Sequence, residues 1–171
     1  MFINEFTLNF ICYITNKMNN AETMKNLDLE RYMGKWYEIG HFKFRPEASC
    51  ERAIAIYSLN DDGTVNVENQ CYRDGQMIKS RTATAWVPDA SDKGKLLINY
   101  DNSDFPKEGD YWVHWTDYNN SIVGSPDKDK LWWLSRKPVV RAKDVESMLQ
   151  RIRSFGYDTD RLLGSKGVII P

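Results

Sequence analysis

From residue 34 to residue 135 the chain alternates apolar and polar side chains with a period of two, in short segments separated by turn residues. That spacing gives each segment one core-facing side and excludes a helical bundle, where apolar positions recur every three or four residues. Strands are predicted over 36–44, 51–58, 64–71, 78–87, 95–100, 111–116, 121–124 and 130–135. Asn60-Asp61-Asp62-Gly63, Arg73-Asp74-Gly75, Asp117-Tyr118-Asn119-Asn120 and Ser125-Pro126-Asp127 supply turn chemistry between them. Sequential hairpins make an up-and-down meander, and closing it removes both exposed edges. The expected fold is all-β: an eight-stranded antiparallel up-and-down β-barrel.

After Pro138 the period changes. Val145, Met148, Leu149, Ile152 and Phe155 fall on one helical face, with Asp144 and Glu146 near the start, Arg151 and Arg153 near the end and Gly156 as a left-handed cap. One C-terminal α-helix is therefore expected outside the barrel, and Val168-Ile169-Ile170 is read as adding an edge pairing. The 171 residues suit a single domain, assigned to 27–171, with 1–26 as a flexible or atypical tail. Phe6 to Ile14 is apolar but too short to span a bilayer, and Glu5 sits where a signal peptide carries a cation. Lipid attachment at Cys12 is weighed against a simple frayed tail, with Met18 or Met24 as alternative starts.

Gly34-Lys35-Trp36-Tyr37-Glu38-Ile39 opens the first strand and Leu131-Trp132-Trp133-Leu134-Ser135-Arg136 closes the last. An Arg guanidinium stacks well on a Trp face, and a Gly lets the two chains approach. Together with Thr116-Asp117-Tyr118, these segments occur in order at the right strand ends, and the chain thereby resembles the lipocalin family. It is most similar to the subgroup of bacterial outer-membrane, plant temperature-induced and animal apolipoprotein-D-like lipocalins. The resemblance implies a binder or transporter of small apolar molecules, of fatty acid or lysophospholipid type. It makes Gly34, Trp36, Thr116, Asp117, Tyr118 and Arg136 structural, and Asp28 to Met33 a helical turn under the barrel floor.

Centring the second turn on Asn60-Asp61 makes opposed residues sum to 121: Ile56 faces Val65, Ile54 faces Val67, Arg52 faces Asn69 and Cys50 faces Cys71. Opposed positions lie near the separation a disulfide needs, so a Cys50–Cys71 bond is expected. The alternatives are two reduced, buried thiols, or a thiol-dependent isomerase of lipocalin type using Cys50 or Cys71.

The same alternation selects ligand-facing candidates: Ile54, Ile56, Val67, Asn69, Ala83, Leu96, Ile98, Tyr100, Trp132 and Leu134. Val65 and Ala85 share those rows. The strand Tyr111-Trp112-Val113-His114-Trp115 is aromatic in both phases, and Trp112 is placed in the cavity by analogy with the family. His114 and His41 are read chiefly as core residues. Arg45, Arg73 and Lys107 lie near the expected mouth, with Arg73 a candidate for an anionic headgroup.

Lys and Arg total 23 against 24 Asp and Glu, a net charge of −1 that argues against a nucleic-acid partner. No phosphate loop, zinc spacing or nucleophile elbow appears, so neither cofactor nor metal is expected and the chain is read as a non-enzyme. The expected partner is a small hydrophobic ligand, with peripheral membrane association left open and a monomer or homodimer as the assembly. The cysteine pair favours the cell envelope, periplasm or outer membrane, while the lack of a clear signal peptide leaves the cytoplasm open.

Overall fold

The computed structural model describes residues 22–43, 50–101 and 108–167, and the backbone of 169–170. Its elements are α1 (Leu29–Tyr32), β1 (Gly34–Phe42), β2 (Arg52–Leu59), β3 (Val65–Arg73), β4 (Gln76–Trp86), β5 (Lys95–Tyr100), β6 (Gly109–Thr116), β7 (Asn120–Gly124) and β8 (Leu131–Ser135). There follow β9 (Val140–Arg141), α2 (Ala142–Ser154), a 3₁₀ turn (Thr159–Arg161), β10 (Leu162–Gly164) and β11 (Ile169–Ile170). Strands β1 to β8 pair in sequence order, and β1 also pairs with β8, which closes the ring. The expected eight-stranded antiparallel barrel with one helix after it is the fold observed.

β10 pairs with the far half of β1, opposing Gly40 to Gly164 and Phe42 to Leu162. The backbone N–H of Ser165 donates to Ile39 O at 3.0 Å, and that of Lys166 to Glu51 O at 2.9 Å, so this strand fills the space where β1 and β2 part. A side chain at Gly40 would meet Leu163 O at 3.2 Å, which explains the glycine. β11 pairs in parallel with β9. Residues 22–27 are also tied to the barrel: Met24 N–H donates to Val113 O at 2.8 Å, and Thr23 Oγ1 donates to Asp92 at 2.7 Å. Residues 1–21, including Cys12, lie outside the described residues.

Two apolar layers result. Inside the ring, Leu27, Tyr32, Trp36, Val65, Val67, Ala83, Ala85, Val113 and Val123 form the floor and lower wall. Outside, Met148 and Ile152 of α2 bury against Ile39, Phe42, Ile122, Leu131 and Trp133, with Val145 and Phe155 partly buried beside them. Gly156 has φ +80°, the left-handed cap expected of it.

The floor is held by one guanidinium. Arg136 lies 3.8 Å over the Trp36 ring and donates to Lys35 O at 2.9 Å, Met33 O at 2.7 Å, Arg31 O at 3.0 Å and Tyr32 O at 3.1 Å. Its Nε also donates to Tyr118 O at 3.3 Å, so α1, β1 and the β6–β7 turn converge on it. Trp36 is fully buried, and its Nε1 donates to Tyr32 O at 2.8 Å. Gly34 has φ +93°, and a Cβ there would approach Arg136 Nη1 to 3.3 Å. Thr116 Oγ1 accepts from Tyr118 N–H and donates to Asn120 O, both at 2.8 Å, while Asp117 Oδ1 accepts from the Asn119 and Asn120 backbones.

One register expectation is corrected. Arg52 opposes Tyr72, Ala53 opposes Cys71, Ala55 opposes Asn69, Tyr57 opposes Val67 and Leu59 opposes Val65. The connection is a five-residue loop, 60–64, in which Asn60 N–H donates to Thr64 O at 2.8 Å and Gly63 adopts φ +82°. A two-residue turn at Asn60-Asp61 is thus three places short, and an odd shift moves every β2 side chain to the other face. The Cys50–Cys71 disulfide is nevertheless present, with a Cα–Cα distance of 5.4 Å. Cys50 reaches it from just ahead of β2, where Glu51 N–H donates to Tyr72 O at 3.0 Å, rather than from an opposed strand position.

Replacing Trp36 with Ala is expected to lower unfolding free energy by about 3 to 5 kcal/mol in urea denaturation, since the floor loses its largest buried side chain. A loss under 1 kcal/mol would contradict its role as the barrel plug. Unfolded without reductant, the chain should show one reactive thiol of its three cysteines. Reduction should cost about 3 kcal/mol for a bond spanning 21 residues.

Candidate functional site

Opposed residues of an antiparallel pair share a face, so the pairings identify the inner wall. On β2 it is Ala53, Ala55 and Tyr57; on β3, Val65, Val67 and Asn69; on β4, Ala85, Ala83 and Arg81. Ile98 opposes Ala85 and Tyr100 opposes Ala83 on β5, while Tyr111 of β6 opposes Leu96. Trp132 opposes Val123, and Leu134 opposes Ser121 and Glu38. An interior cavity of about 70 Å³ is lined by Glu38, Ala53, Ile54, Ala55, Tyr57, Val67, Asn69, Ile98, Tyr100, Tyr111, Trp132 and Leu134. A second, of about 20 Å³, lies towards the floor between Leu29, Tyr32, Met33, Val65, Ala85 and Leu96.

The structure therefore brings Val67, Asn69, Ile98, Tyr100, Trp132 and Leu134 to one cavity, puts Leu96 on the smaller one and sets Ala83 in the wall opposite Val67. Ile56 and Trp112 are corrected to the outer face. Ile56 opposes Glu68 and Lys35, following the three-residue register change. Trp112 opposes Lys95, whose Nζ lies 4.7 Å over its ring. Ile54 also belongs to the outer phase, opposite Gln70 and Tyr37. It borders both the interior and a second space of about 250 Å³ at the barrel wall, which it shares with Tyr37, Glu38, Arg52, Ala53, Tyr72, Gly75 and Pro138.

His114 lies beneath the end of α2. Its Nδ1 is 2.7 Å from Glu22 O, its Nε2 is 2.8 Å from Tyr157 Oη, and its ring stacks on Phe155 at 5.5 Å. Burial lowers its pKa, which keeps the neutral ring. His41 opposes Trp132 on the inner face, with Nδ1 2.8 Å from Glu38 Oε1. Arg73 ends β3 at the mouth, while Arg45 and Lys107 lie outside the described residues.

Reading the sequence missed Glu38, Ala53, Ala55, Tyr57 and Tyr111. The row of small residues at Ala53 and Ala55, ending on Tyr57, was the available signal for β2. Glu38 and His41 share the interior because the β1–β8 register slips between Glu38 and Gly40. An i,i+3 pair on a regular strand would point to opposite faces.

Three tyrosines form a hydroxyl cluster between cavity and floor. Tyr111 Oη lies 2.9 Å from Tyr57 Oη and 3.2 Å from Tyr32 Oη, and Tyr32 Oη lies 2.9 Å from Ser121 Oγ. Burial pushes Tyr32 up to about 12. Burial first, then the neighbouring hydroxyls, holds Tyr57 and Tyr111 well above the usual phenol range. The cluster thus presents neutral hydroxyls to the cavity: polar enough to orient a ligand, with no charge to repel an apolar chain.

The isomerase alternative required a thiol at Cys50 or Cys71, and the disulfide consumes both. Among the described residues no group of three or more metal-ligating side chains occurs. A closed antiparallel barrel with an apolar inner wall, a few inward polar groups and a Trp–Arg floor defines a class of binding proteins that enclose small ligands.

The sequence comparisons agree: a lipocalin-like domain model matches residues 27–166, and the chain belongs to that family, known for binding small hydrophobic ligands. It is 34% identical over 155 residues to the outer membrane lipoprotein Blc of Escherichia coli strain K12, covering 89% of this chain and 86% of Blc. It is 33% identical over 149 residues to temperature-induced lipocalin-1 of Arabidopsis thaliana, covering 82% and 80%. Among solved structures, insecticyanin from the tobacco hornworm Manduca sexta matches with a TM-score of 0.70 at 22% identity, covering 85% of this chain and 83% of that one, a likeness of fold.

The raised tyrosine pKa values have a pH consequence. The folded state keeps these phenols protonated where the unfolded chain, with pKa near 10, releases them. Their contribution is fully present below pH 10 and is lost as pH rises towards and beyond 12, at about 1.4 kcal/mol per pH unit for each tyrosine kept protonated. Stability measured by denaturant should therefore be level from pH 8 to 9.5 and fall steeply above pH 10. A flat profile to pH 11.5 would show the cluster to be solvated.

Proposed function

We propose that the protein binds and carries a single-chain lipid, a fatty acid or lysophospholipid, with its chain inside the barrel. The observation that carries this reading is the asymmetry of the inner wall. Ala53, Ala55 and Ala83 leave volume beside Val67, Ile98, Trp132 and Leu134, while Asn69 and Tyr100 lie towards the mouth, away from Trp36. A long apolar chain gains from burial against the first group, and a polar end keeps hydrogen-bond partners at the second. The residues proposed to touch it are Val67, Asn69, Ala83, Leu96, Ile98, Tyr100, Trp132 and Leu134, with Ala53, Ala55, Tyr57 and Tyr111 added from the geometry.

The cell envelope is the proposed compartment, as a monomer or homodimer. Supporting it are the disulfide, which persists in oxidising spaces, and the relative named an outer membrane lipoprotein. Recovery of the native protein from cells with Cys50 and Cys71 reduced would remove that support.

Oleate and lysophosphatidylcholine should quench tryptophan fluorescence saturably. Trp132→Ala and Asn69→Ala should each weaken binding by about tenfold or more, near 1.4 kcal/mol. Ala53→Phe, which places a ring in the cavity, should abolish it while leaving the folded circular-dichroism spectrum intact. Absence of saturable quenching, together with native mass spectra free of retained lipid, would overturn the reading.

A further inference from the structure

We infer that the β3–β4 hairpin at the barrel mouth is a docking element for an anionic lipid bilayer. β3 and β4 pair from Val65–Ala85 upward to Arg73–Gln76, while β5 pairs with β4 only over Ala83 to Trp86. The upper part of the β3–β4 ribbon therefore presents β4 as an open sheet edge among the described strands, while β3 is flanked by β2 as far as Tyr72. Every residue from Gln76 to Ser80 is exposed, although a strand within a barrel wall buries alternate residues.

Two of those exposed residues are large and apolar: Met77 is 53% and Ile78 47% exposed. They are consecutive, at the point where the β3–β4 register slips: Cys71 opposes Lys79 and Tyr72 opposes Met77, leaving Ile78 as the extra residue of a bulge. An exposed apolar pair on an open sheet edge beside the hairpin tip is an unusual expense of solvation for a soluble surface. It suits insertion into the headgroup and acyl boundary of a membrane.

Charge selects the kind of bilayer. Lys79 and Arg73 flank the tip, and Arg52 is exposed on the adjacent strand opposite Tyr72. Against them stand Asp74 and, lower on β3, Glu68, which accepts from Ser80 Oγ at 3.0 Å, while Glu51 is taken up by Lys166 at 2.8 Å. The chain as a whole carries −1, so this excess of cations is local to the ribbon. Each cation near an anionic bilayer raises partition by a factor of about five. The ribbon rises from the inner-wall strands that bear Asn69 and Ala83, so docking would set the barrel mouth against the lipid surface. This goes beyond ligand binding, because it assigns a surface for the exchange of cargo.

The test is co-sedimentation of the full chain with sucrose-loaded vesicles of phosphatidylcholine alone or with added phosphatidylglycerol. The parent should sediment preferentially with the anionic vesicles. The double variant Met77→Ser, Ile78→Ser should partition about tenfold less into them. Lys79→Gln should reduce the anionic preference about fivefold, a difference that disappears in high salt. Oleate delivered from solution should bind the parent and both variants equally, since none of the three residues lines the described cavities. Oleate binding absent from all three, with sedimentation still falling in the variants, would overturn the carrier reading and leave docking supported. Docking is overturned if the parent sediments with neither vesicle, if the double variant matches it, or if the double variant instead turns a parent dimer into a monomer.

Discussion

The contact between Arg136 and Trp36 organises everything above it. The last barrel strand can close on the first only if both ends meet at a fixed angle, and here Arg136, the residue directly after β8, stacks on the Trp36 ring near the start of β1 while capturing carbonyls of α1. A guanidinium suits the task because its rigid fork of donors serves several acceptors at once while its face remains on the indole. A Lys in its place would supply one point charge and no plane. With the floor fixed, the β6–β7 turn is fixed too, through Tyr118, whose main chain adopts φ +65° and whose ring carries Arg31 at 3.9 Å.

Much of this frame can be read directly from the chain, because period, turns and the two marked strand ends are local signals. The alternation of β3, β5 and β8 points the right residues inward: Val65-Val67-Asn69, Leu96-Ile98-Tyr100 and Trp132-Leu134 all sit as their spacing predicts. Phase is lost where it depends on a turn or a bulge. For β2 the error comes from loop length: a two-residue turn sets Ile54 and Ile56 against Val67 and Val65, whereas the real five-residue loop sets Ala53, Ala55 and Tyr57 against Cys71, Asn69 and Val67. Ile54 stays apolar there because it packs beside Tyr37 and Tyr72. The disulfide forms in spite of the changed register, since Cys50 closes on Cys71 from outside the paired part of β2.

β6 fails for a different reason. Its two faces are both aromatic because both are buried, Tyr111 and Val113 inside the ring and Trp115 under α2 against Ile122. Hydrophobicity cannot distinguish the inside of a barrel from the underside of a helix. The register slip between Val113 and Trp115 then changes the phase within the strand, and the residue left over is His114. Only the partners supplied by Glu22 and Tyr157, 92 and 43 residues away in sequence, explain why an imidazole is buried there.

Three register slips thus carry the features that alternation alone does not provide. The slip in β1 turns Glu38 and His41 to the same interior while Ile39 and Phe42 stay under α2. In β6, the slip passes His114 to the outer layer without breaking the inner row of Tyr111 and Val113. At the β3–β4 tip, it leaves Met77 and Ile78 exposed side by side. A regular eight-stranded barrel would have one inner surface and one outer surface with fixed membership. Each extra residue reassigns a side chain between them at the cost of a few ladder hydrogen bonds. The barrel can therefore keep a rigid floor, a polar group in an apolar cavity and an apolar tip in water within one continuous sheet.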